Sequence, residues 1–283
     1  MRILFVVLLS LFPLVGKTTF VNQVLAAEEY PVKPVTFIAA VEPGADGDVL
    51  ARPLCQKVSA LMGKPVIIVN KPGAGGSMGF REIHDAKPDG YTIGLGFTAL
   101  ATNRLLGTLP YDYRAFTIIG GYATIVPVIL GSTKTKRPFK GIEEVLSFAK
   151  ANPGDVSIAT SGKGYLWWFT SVAFQDTTGL KFNIIPQPGG AGFTTSQVAG
   201  GHVDLGVMGF GPAKSQVEAG NIRVLAVFGS TRAPAPINHV PSLKELGHEV
   251  NIVSPHFVLG PAKMPPAVTN KLIKVFDAFV VDL

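Results

Sequence analysis

The feature that most constrains the fold is an alternation of short β-branched runs with helical patterns, which begins just after Tyr30. Residues 35–40 form an almost continuous apolar run, as is typical of a strand buried on both faces of a parallel sheet. Apolar residues then recur at helical spacing over 50–61, and 66–69 is a second β-branched run. Strand, helix and strand in this order predict an α/β fold.

The same pattern resumes in the second half of the chain, so we predict two α/β lobes. Further strands are expected at 156–159, 182–185, 205–208 and 224–228. Proline-rich segments near Pro127 and at 231–236 interrupt the pattern and predict the hinges between the lobes. The expected organisation is lobe 1 at 28–126, lobe 2 at 127–231, and a return to lobe 1 at 232–283.

Composition excludes several classes of function. Hydrophobic residues make up 47% of the 283 residues and charged residues 16%, which suits a folded chain with a sizeable core. The single cysteine, Cys55, excludes an intramolecular disulfide, and the five histidines show no metal-ligand spacing. The formal charge of +6 forms no basic stripe, so a nucleic-acid partner is not expected. No dinucleotide fingerprint is present, because Met78 stands where the third glycine would be, and no cofactor is expected.

Residues 1–27 have the pattern of a secretory signal peptide. Arg2 supplies the positive charge, a mostly apolar run follows, and small residues end the segment near Ala27. The apolar run is too short to span a bilayer as a helix. We therefore expect cleavage near Ala27 and export to the periplasm, with an uncleaved N-terminal anchor as the alternative.

Four glycine-containing loops follow predicted strands, two in each lobe. Such loops let backbone N–H groups approach an anion, and the helix N-terminus behind each loop adds a favourable partial charge. Ligands of open α/β sheets bind at the carboxyl ends of the strands, so we predict that the loops face one cleft, although each alone could be a tight turn. The candidate ligand-binding residues are Pro43, Gly44, Asp48, Gly73, Ala74, Gly75, Gly76, Ser77, Ser161, Gly162, Lys163, Gly164, Gly189 and Gly190.

These segments resemble the extracytoplasmic solute receptors of the tripartite tricarboxylate transporter family, also called Bug receptors. The resemblance rests mainly on residues 41–52, on 87–92 and on the Asn-x-Pro-Gly-Ala-Gly-Gly block at 70–76. It implies a two-lobed, type II-like periplasmic binding protein fold with the ligand between the lobes. It also implies closure on a small carboxylate, gripped by the first two glycine loops through backbone groups and water, and delivery to membrane permease subunits.

Several residues depart from the pattern of that family. Glu42 and Asp46 flank the first loop and would repel a multiply charged acid, so a monocarboxylate or small dicarboxylate is expected. Lys163 could pair with a ligand carboxylate, and Tyr165 or a tryptophan could stack on a ring. Trp167 and Trp168 could instead be core residues.

Two questions stay open in the sequence. Asp48 could cap its helix or accept a hydrogen bond from the ligand. The chain stops at Leu283 inside a predicted helix that starts at Pro266, where the relatives continue. We expect either a truncated product or a missing part that the cleft does not require.

A secreted serine esterase is the alternative function. Residues 75–79 match the G-x-S-x-G pattern around Ser77, with Asp204 and three histidines, His239, His248 and His256, downstream. A nucleophile of that kind follows a strand directly, whereas Ser77 lies seven residues beyond Asn70 and is better interpreted as a helix cap. We therefore predict a binding protein and not an enzyme.

Overall fold

The computed structural model describes residues 30–163, 165–188 and 190–280. The predicted signal peptide at 1–27, the candidate site residues Gly164 and Gly189, and the chain end at Leu283 lie outside the described residues.

The first lobe is built on a five-stranded sheet in the order β2–β1–β3–β10–β4. Its strands are β1 (Val35–Ala39), β2 (Val66–Asn70), β3 (Thr92–Gly96), β4 (Phe116–Ile125) and β10 (Ser254–Pro261). β1 runs parallel to β2 and β3, whereas β10 is antiparallel to both β3 and β4. The strand that the sequence predicted after the return crossing therefore lies inside this sheet, between two earlier strands.

Helices cover both faces of the first sheet. They are α1 (Asp46–Met62), α2 (Ser77–His84), α3 (Ala99–Leu105) and α8 (Pro266–Val280). Because side chains alternate across a strand, Phe37 packs into the core under α1 and α8, while Ile38 packs into the core under α2 and α3. Both side chains are completely buried, so the run at 35–40 is apolar on both faces.

The second lobe repeats the strand arrangement, in the order β7–β6–β8–β5–β9. Its strands are β5 (Val128–Ser132), β6 (Ser157–Thr160), β7 (Asn183–Pro186), β8 (Leu205–Met208) and β9 (Ile222–Val227). Its helices are α4 (Ile142–Ala151), α5 (Leu166–Thr178), α6 (Gly190–Ala199) and α7 (Lys214–Glu218). β6 is parallel to β7 and β8, and β5 is antiparallel to β8 and β9. The fold is thus the two-lobed α/β architecture that the sequence predicted.

Two crossings connect the lobes. The first is the short step from β4 to β5 through Val126 and Pro127. The second crossing lies later in the chain than the proline-rich segment at 231–236, where the sequence predicted it. Val240 and Val250 are still buried in the two cores of the second lobe. The chain rejoins the first sheet only at Ser254.

Within the described part of the chain, no helix combines the length and the apolar character that crossing a bilayer requires.

Candidate ligand-binding cleft

A cavity of about 220 Å³, partly open to solvent, lies between the lobes. The first lobe lines it with Val41, Glu42, Ala45, Asp46, Gly47, Phe97, Ala99, Ser254 and His256. The second lobe lines it with Ser161, Gly162, Tyr165, Leu166, Trp167, Gln187, Pro188, Gly190 and Ala191. This volume is below the usual range for sites of drug-sized ligands, so the cavity suits a small molecule.

Three helices begin at this cavity. The first residues of α1 (Asp46, Gly47), of α5 (Leu166, Trp167) and of α6 (Gly190, Ala191) all line it. The N–H groups of a first helical turn have no acceptor inside their own helix, and they carry a partial positive charge. The first, third and fourth glycine loops thus lead into helices that begin at this cavity, whereas the second loop and α2, the helix that follows it, contribute no residue to the described lining.

The side chains of the lining carry negative and not positive charge. Glu42 and Asp46 are its carboxylates, and no lysine or arginine is among the lining residues that the structure describes. An anion bound here is therefore held by backbone dipoles and neutral donors, and its charge is opposed by two acids.

Asp46 joins the two lobes. It is the first residue of α1 in the first lobe, and its Oδ2 accepts a hydrogen bond from Trp167 Nε1 in the second lobe at 3.1 Å. Complete burial raises the pKa of Asp46 to about 6, against the lowering effect of hydrogen bonds from the Gly209 backbone and from Trp167. Trp167 is therefore neither a free stacking surface nor only a core residue.

His256 is the buried imidazole of the cavity. It is 4% exposed, stacks on Phe97 with ring centroids 5.8 Å apart, and has its Nδ1 3.1 Å from the Ser254 carbonyl oxygen. Burial lowers the pKa of His256 to about 4, so the ring is neutral near pH 7. A neutral ring that donates from Nδ1 to the carbonyl leaves Nε2 as an acceptor, and no described residue hydrogen-bonds to that atom.

Two hydroxyl groups lie on the second-lobe side. Ser161 Oγ is buried and has no hydrogen-bond partner among the described residues. The Tyr165 hydroxyl accepts a hydrogen bond from the Gly75 N–H of the first lobe at 2.7 Å. Its own proton stays free to be donated. An unpartnered hydroxyl in a buried site is costly, so Ser161 is a candidate to hydrogen-bond a polar group of a ligand.

The predicted site residues divide into those that line the cavity and those that support it. Ser161, Gly162 and Gly190 line it. Pro43 and Gly44 are exposed, and their loop reaches the cavity through the neighbouring residues 41, 42 and 45–47.

The second glycine loop lies behind the lining. Gly73, Ala74, Gly75 and Gly76 all have positive φ, and the described contact of this loop with the second lobe runs from Gly75 to Tyr165. Asn103 donates to the Gly75 carbonyl oxygen at 2.7 Å and holds the loop in place.

Lys163 is exposed and does not line the cavity. Its Nζ lies 6.0 Å from the centroid of the Trp168 ring, and both residues border a separate surface depression. The expected ion pair between Lys163 and a ligand carboxylate therefore has no support in this arrangement.

Asp48 is satisfied by protein groups. Arg52 grips it with two hydrogen bonds of 2.9 Å, and it also accepts from the Gly44 N–H at 2.8 Å and from Asn70 Nδ2 at 2.9 Å. Burial would raise its pKa, but these hydrogen bonds outweigh that effect and lower it. Asp48 thus fixes the first glycine loop to the end of β2, and it does not line the cavity.

Ser77 is not the helix cap that the sequence suggested. It is the first residue of α2, Gly76 occupies the cap position, and no side-chain hydrogen bond caps this helix. Ser77 is also 3% exposed, and no described histidine hydrogen-bonds to it. An esterase would need a histidine base hydrogen-bonded to Ser77, and the described residues provide none.

The sequence did not single out His256, Phe97, Ser254 or Gln187 as ligand-binding residues. Three of them reach the cavity from the ends of β3 and β10, and no local signal marks those positions. Gln187 follows β7 and directly precedes the fourth glycine loop, so its position next to that loop could have identified it as a candidate.

Comparisons with known proteins agree with this geometry. The profile of a family described as "Tripartite tricarboxylate transporter family receptor" matches residues 50–280. The chain is similar to Protein BugT of Bordetella pertussis, at 29% identity over 268 residues, which cover 92% of this chain and 80% of BugT.

Solved structures show the same fold. One described as a periplasmic transporter has 30% identity and a TM-score of 0.82, covering 88% of this chain and 84% of its own. A protein of R. palustris, solved with adipate, has 26% identity and a TM-score of 0.82, covering 90% of this chain and 87% of its own.

Proposed function

This chain belongs to the tripartite tricarboxylate transporter family of receptors, and we propose that it captures a small carboxylate in the cavity between its lobes. It then presents the ligand to the membrane permease subunits of such a transporter. Members of this family and the similar solved structures are solute-binding proteins.

The observation that carries the proposal is the meeting of three helix N-termini at the cavity between the lobes. Each of α1, α5 and α6 is ten residues or longer, and each contributes its first turn to the lining. Unpaired N–H groups and aligned helix dipoles favour a carboxylate there. The adipate in the similar R. palustris structure is consistent with that ligand class.

Ligand capture then follows from the placement of these groups on both lobes. The carboxylate meets the N-terminus of α5 and the Ser161 hydroxyl on the second lobe, while the rest of the ligand contacts the first lobe. Both sets of contacts exist only when the lobes are closed, so the ligand stabilises the closed arrangement by differential affinity. The crossings at 126–127 and 250–254 are short enough to act as hinges.

The periplasm is the proposed location of this receptor. The family supports it, as does the similarity to a periplasmic transporter. The pattern of residues 1–27 is that of an export signal.

A thermal-shift screen of small carboxylates, followed by calorimetry on those that stabilise the purified chain, tests the proposal. A ligand at about 100 times its Kd adds roughly 2.7 kcal/mol to the free energy of unfolding, which shifts the Tm measurably. Replacing Ser161 by Ala removes one donor and should weaken binding about tenfold without lowering the Tm of the free protein.

Ser196→Ala is the matched control, because the Ser196 hydroxyl is exposed and donates to a carbonyl of its own helix. If no small carboxylate stabilises the protein, the proposed function is wrong. If Ser161→Ala binds as tightly as the unchanged protein, the cavity assignment is wrong.

A further inference from the structure

The polar groups of the cavity are divided unequally between the two lobes, and this division narrows the class of ligand. The first lobe presents acceptors, and the second lobe presents donors. These groups belong to the cavity of the proposed function, and what they imply about the ligand rests on that function.

Glu42 is the first acceptor. No described residue forms an ion pair or a hydrogen bond with its carboxylate, although its Oε2 lies close to Gly190, only 3.3 Å from the position that a Cβ on that glycine would occupy. The Glu42 carboxylate is therefore held near the opposite lobe, beside the first turn of α6, with no protein cation to neutralise it.

His256 Nε2 is the second acceptor. The ring is buried and neutral, and its Nδ1 is committed to the Ser254 carbonyl oxygen. Nε2 is directed toward the cavity wall at Gly47, 3.4 Å from the position of a Cβ on that residue. Nε2 is therefore free to accept a hydrogen bond from a donor group of the ligand.

Asp46 does not compete for that role. Its carboxylate already accepts from Trp167 Nε1 and from the Gly209 backbone. It also offsets the positive end of α1, because Asp46 and Asp48 both lie in the first turn of that helix. The first-lobe side of the cavity thus has little residual attraction for an anion.

The second-lobe side is the reverse. The first turns of α5 and α6 carry no acidic residue of their own. Glu42 of the first lobe lies beside the first turn of α6 and offsets part of its positive charge, so α5 is the helix of the two whose N-terminus attracts an anion more strongly. The Ser161 hydroxyl and the Tyr165 proton are neutral donors on the same side. A carboxylate is therefore best placed against the second lobe.

We propose that the ligand is a monocarboxylate whose other end carries a hydrogen-bond donor, either an ammonium group, an amide N–H or a hydroxyl. The carboxylate lies against the first turn of α5 and Ser161, and the donor end meets Glu42, beside α6, and His256 Nε2. A second ionised carboxylate would be forced against Glu42, so dicarboxylates are selected against. Glu42 is the residue that determines this specificity.

Calorimetry at pH 7.5 on the purified chain tests the proposal with matched ligands of three to six carbon atoms. Each length is represented by the dicarboxylate, its monoamide and the ω-amino acid. We expect the monoamide or the amino acid of the preferred length to bind at least tenfold more tightly than the dicarboxylate. Glu42→Gln should reduce that ratio at least tenfold, because it removes the charge that repels the second carboxylate.

Glu218→Gln is the matched control, since Glu218 lies in α7 on the second lobe, is 65% exposed and does not line the cavity. Its selectivity should equal that of the unchanged protein. Equal Tm values for the three ligand-free proteins would show that the substitutions leave the fold intact.

The possible failures are distinguishable. If dicarboxylates bind as tightly as the monoamides, or if Glu42→Gln leaves the ratio unchanged, the inferred ligand class is wrong while the receptor function stands. If no carboxylate in any series binds, and none stabilises the protein in the wider screen, both are wrong.

Discussion

The Asp46 carboxylate of the first lobe accepts a hydrogen bond from the Trp167 indole of the second lobe, with Oδ2 and Nε1 3.1 Å apart. Asp46 also accepts from the backbone N–H of Gly209, so both of its partners belong to the opposite lobe. These contacts need no ligand. The closed arrangement is therefore stabilised in part by the protein itself.

Replacing Asp46 by Asn should shift the ligand-free protein toward the open arrangement. Trp167 donates to Oδ2 of Asp46, whereas Gly209 lies against Oδ1. The amide oxygen of Asn can replace one of these two oxygens, so its NH₂ group would face the other donor. An unsatisfied buried group costs about 1–3 kcal/mol. We expect a larger radius of gyration in solution scattering and a change in tryptophan emission. Asp176→Asn, on the exposed end of α5, is the control, and identical scattering from both variants would contradict this role of Asp46.

The pH dependence of stability should contain two opposing contributions. His256 has its pKa lowered from 6.5 to about 4, so its contribution to stability is complete above pH 6.5 and is lost as pH falls toward 4. Asp46 has its pKa raised from 3.8 to about 6, so stability declines as pH rises through that interval. Each contribution amounts to about 3 kcal/mol, because one pKa unit corresponds to about 1.4 kcal/mol.

Denaturant unfolding between pH 4 and 6.5 can separate the two. Asp46→Asn should make stability rise more steeply with pH than in the unchanged protein, and His256→Phe, which keeps the aromatic contact with Phe97, should make it fall. His239→Asn and Asp176→Asn, both at exposed positions, should leave the profile as it is. The same slope in all proteins would show that neither buried group titrates as described.

Tyr165→Phe should weaken ligand binding without unfolding either lobe. The substitution removes the hydroxyl that accepts from the Gly75 N–H at 2.7 Å, one of the hydrogen bonds between the lobes. Loss of about 1.4 kcal/mol from the closed arrangement corresponds to a tenfold higher Kd. Tyr113→Phe is the control because Tyr113 is 51% exposed. If calorimetry gives the same Kd for the two variants, the Gly75–Tyr165 hydrogen bond does not contribute to ligand affinity.

Gly76→Ala should destabilise the protein more than Gly107→Ala. Both glycines have positive φ, 85° and 72°, so both substitutions carry a backbone penalty of about 1–2 kcal/mol. A Cβ at Gly76 would lie 2.8 Å from the Ala40 carbonyl oxygen, whereas one at Gly107 would meet nothing within 4 Å. We expect an additional cost of about 1–3 kcal/mol at Gly76. Denaturant unfolding measures the difference, and equal costs would show that the second loop can adjust.

Ser77→Ala should leave both the ligand affinity and any turnover of an ester substrate unchanged. The Ser77 side chain is buried, caps no helix and does not line the cavity. Kd values for the bound carboxylate and turnover of a chromogenic ester provide the two readouts. An esterase activity present in the unchanged protein and lost in Ser77→Ala would reverse the assignment of this chain as a binding protein.

The strands and the positions of the glycine loops could be predicted from the sequence because their signals are local. Residues 35–40 are apolar except for Thr36, since both faces of β1 are covered, and β1 forms there. Gly73, Gly75 and Gly76 have positive φ, a backbone conformation that residues other than glycine rarely adopt. Periodicity and backbone freedom are properties of neighbouring residues, so one sequence suffices to show them.

The role of Asp48 could not be decided in that way. A short acidic side chain near a helix start is compatible with a cap, with an ion pair and with a ligand contact. The structure brings Arg52 and Asn70 to it, and the second of these comes from a different strand. The role of Trp167 could not be predicted either, because its hydrogen-bond partner Asp46 belongs to the other lobe.

The sequence by itself determined that this chain forms two α/β lobes with glycine loops at the ends of their strands. Only the tertiary structure decided which groups line the cavity between the lobes, because β10 returns from the second lobe and inserts between β3 and β4. That insertion carries His256 into a cavity opposite Ser161. The surroundings of Glu42 also depend on segments that are far apart in the chain, so its lack of a described partner could not be predicted from the sequence.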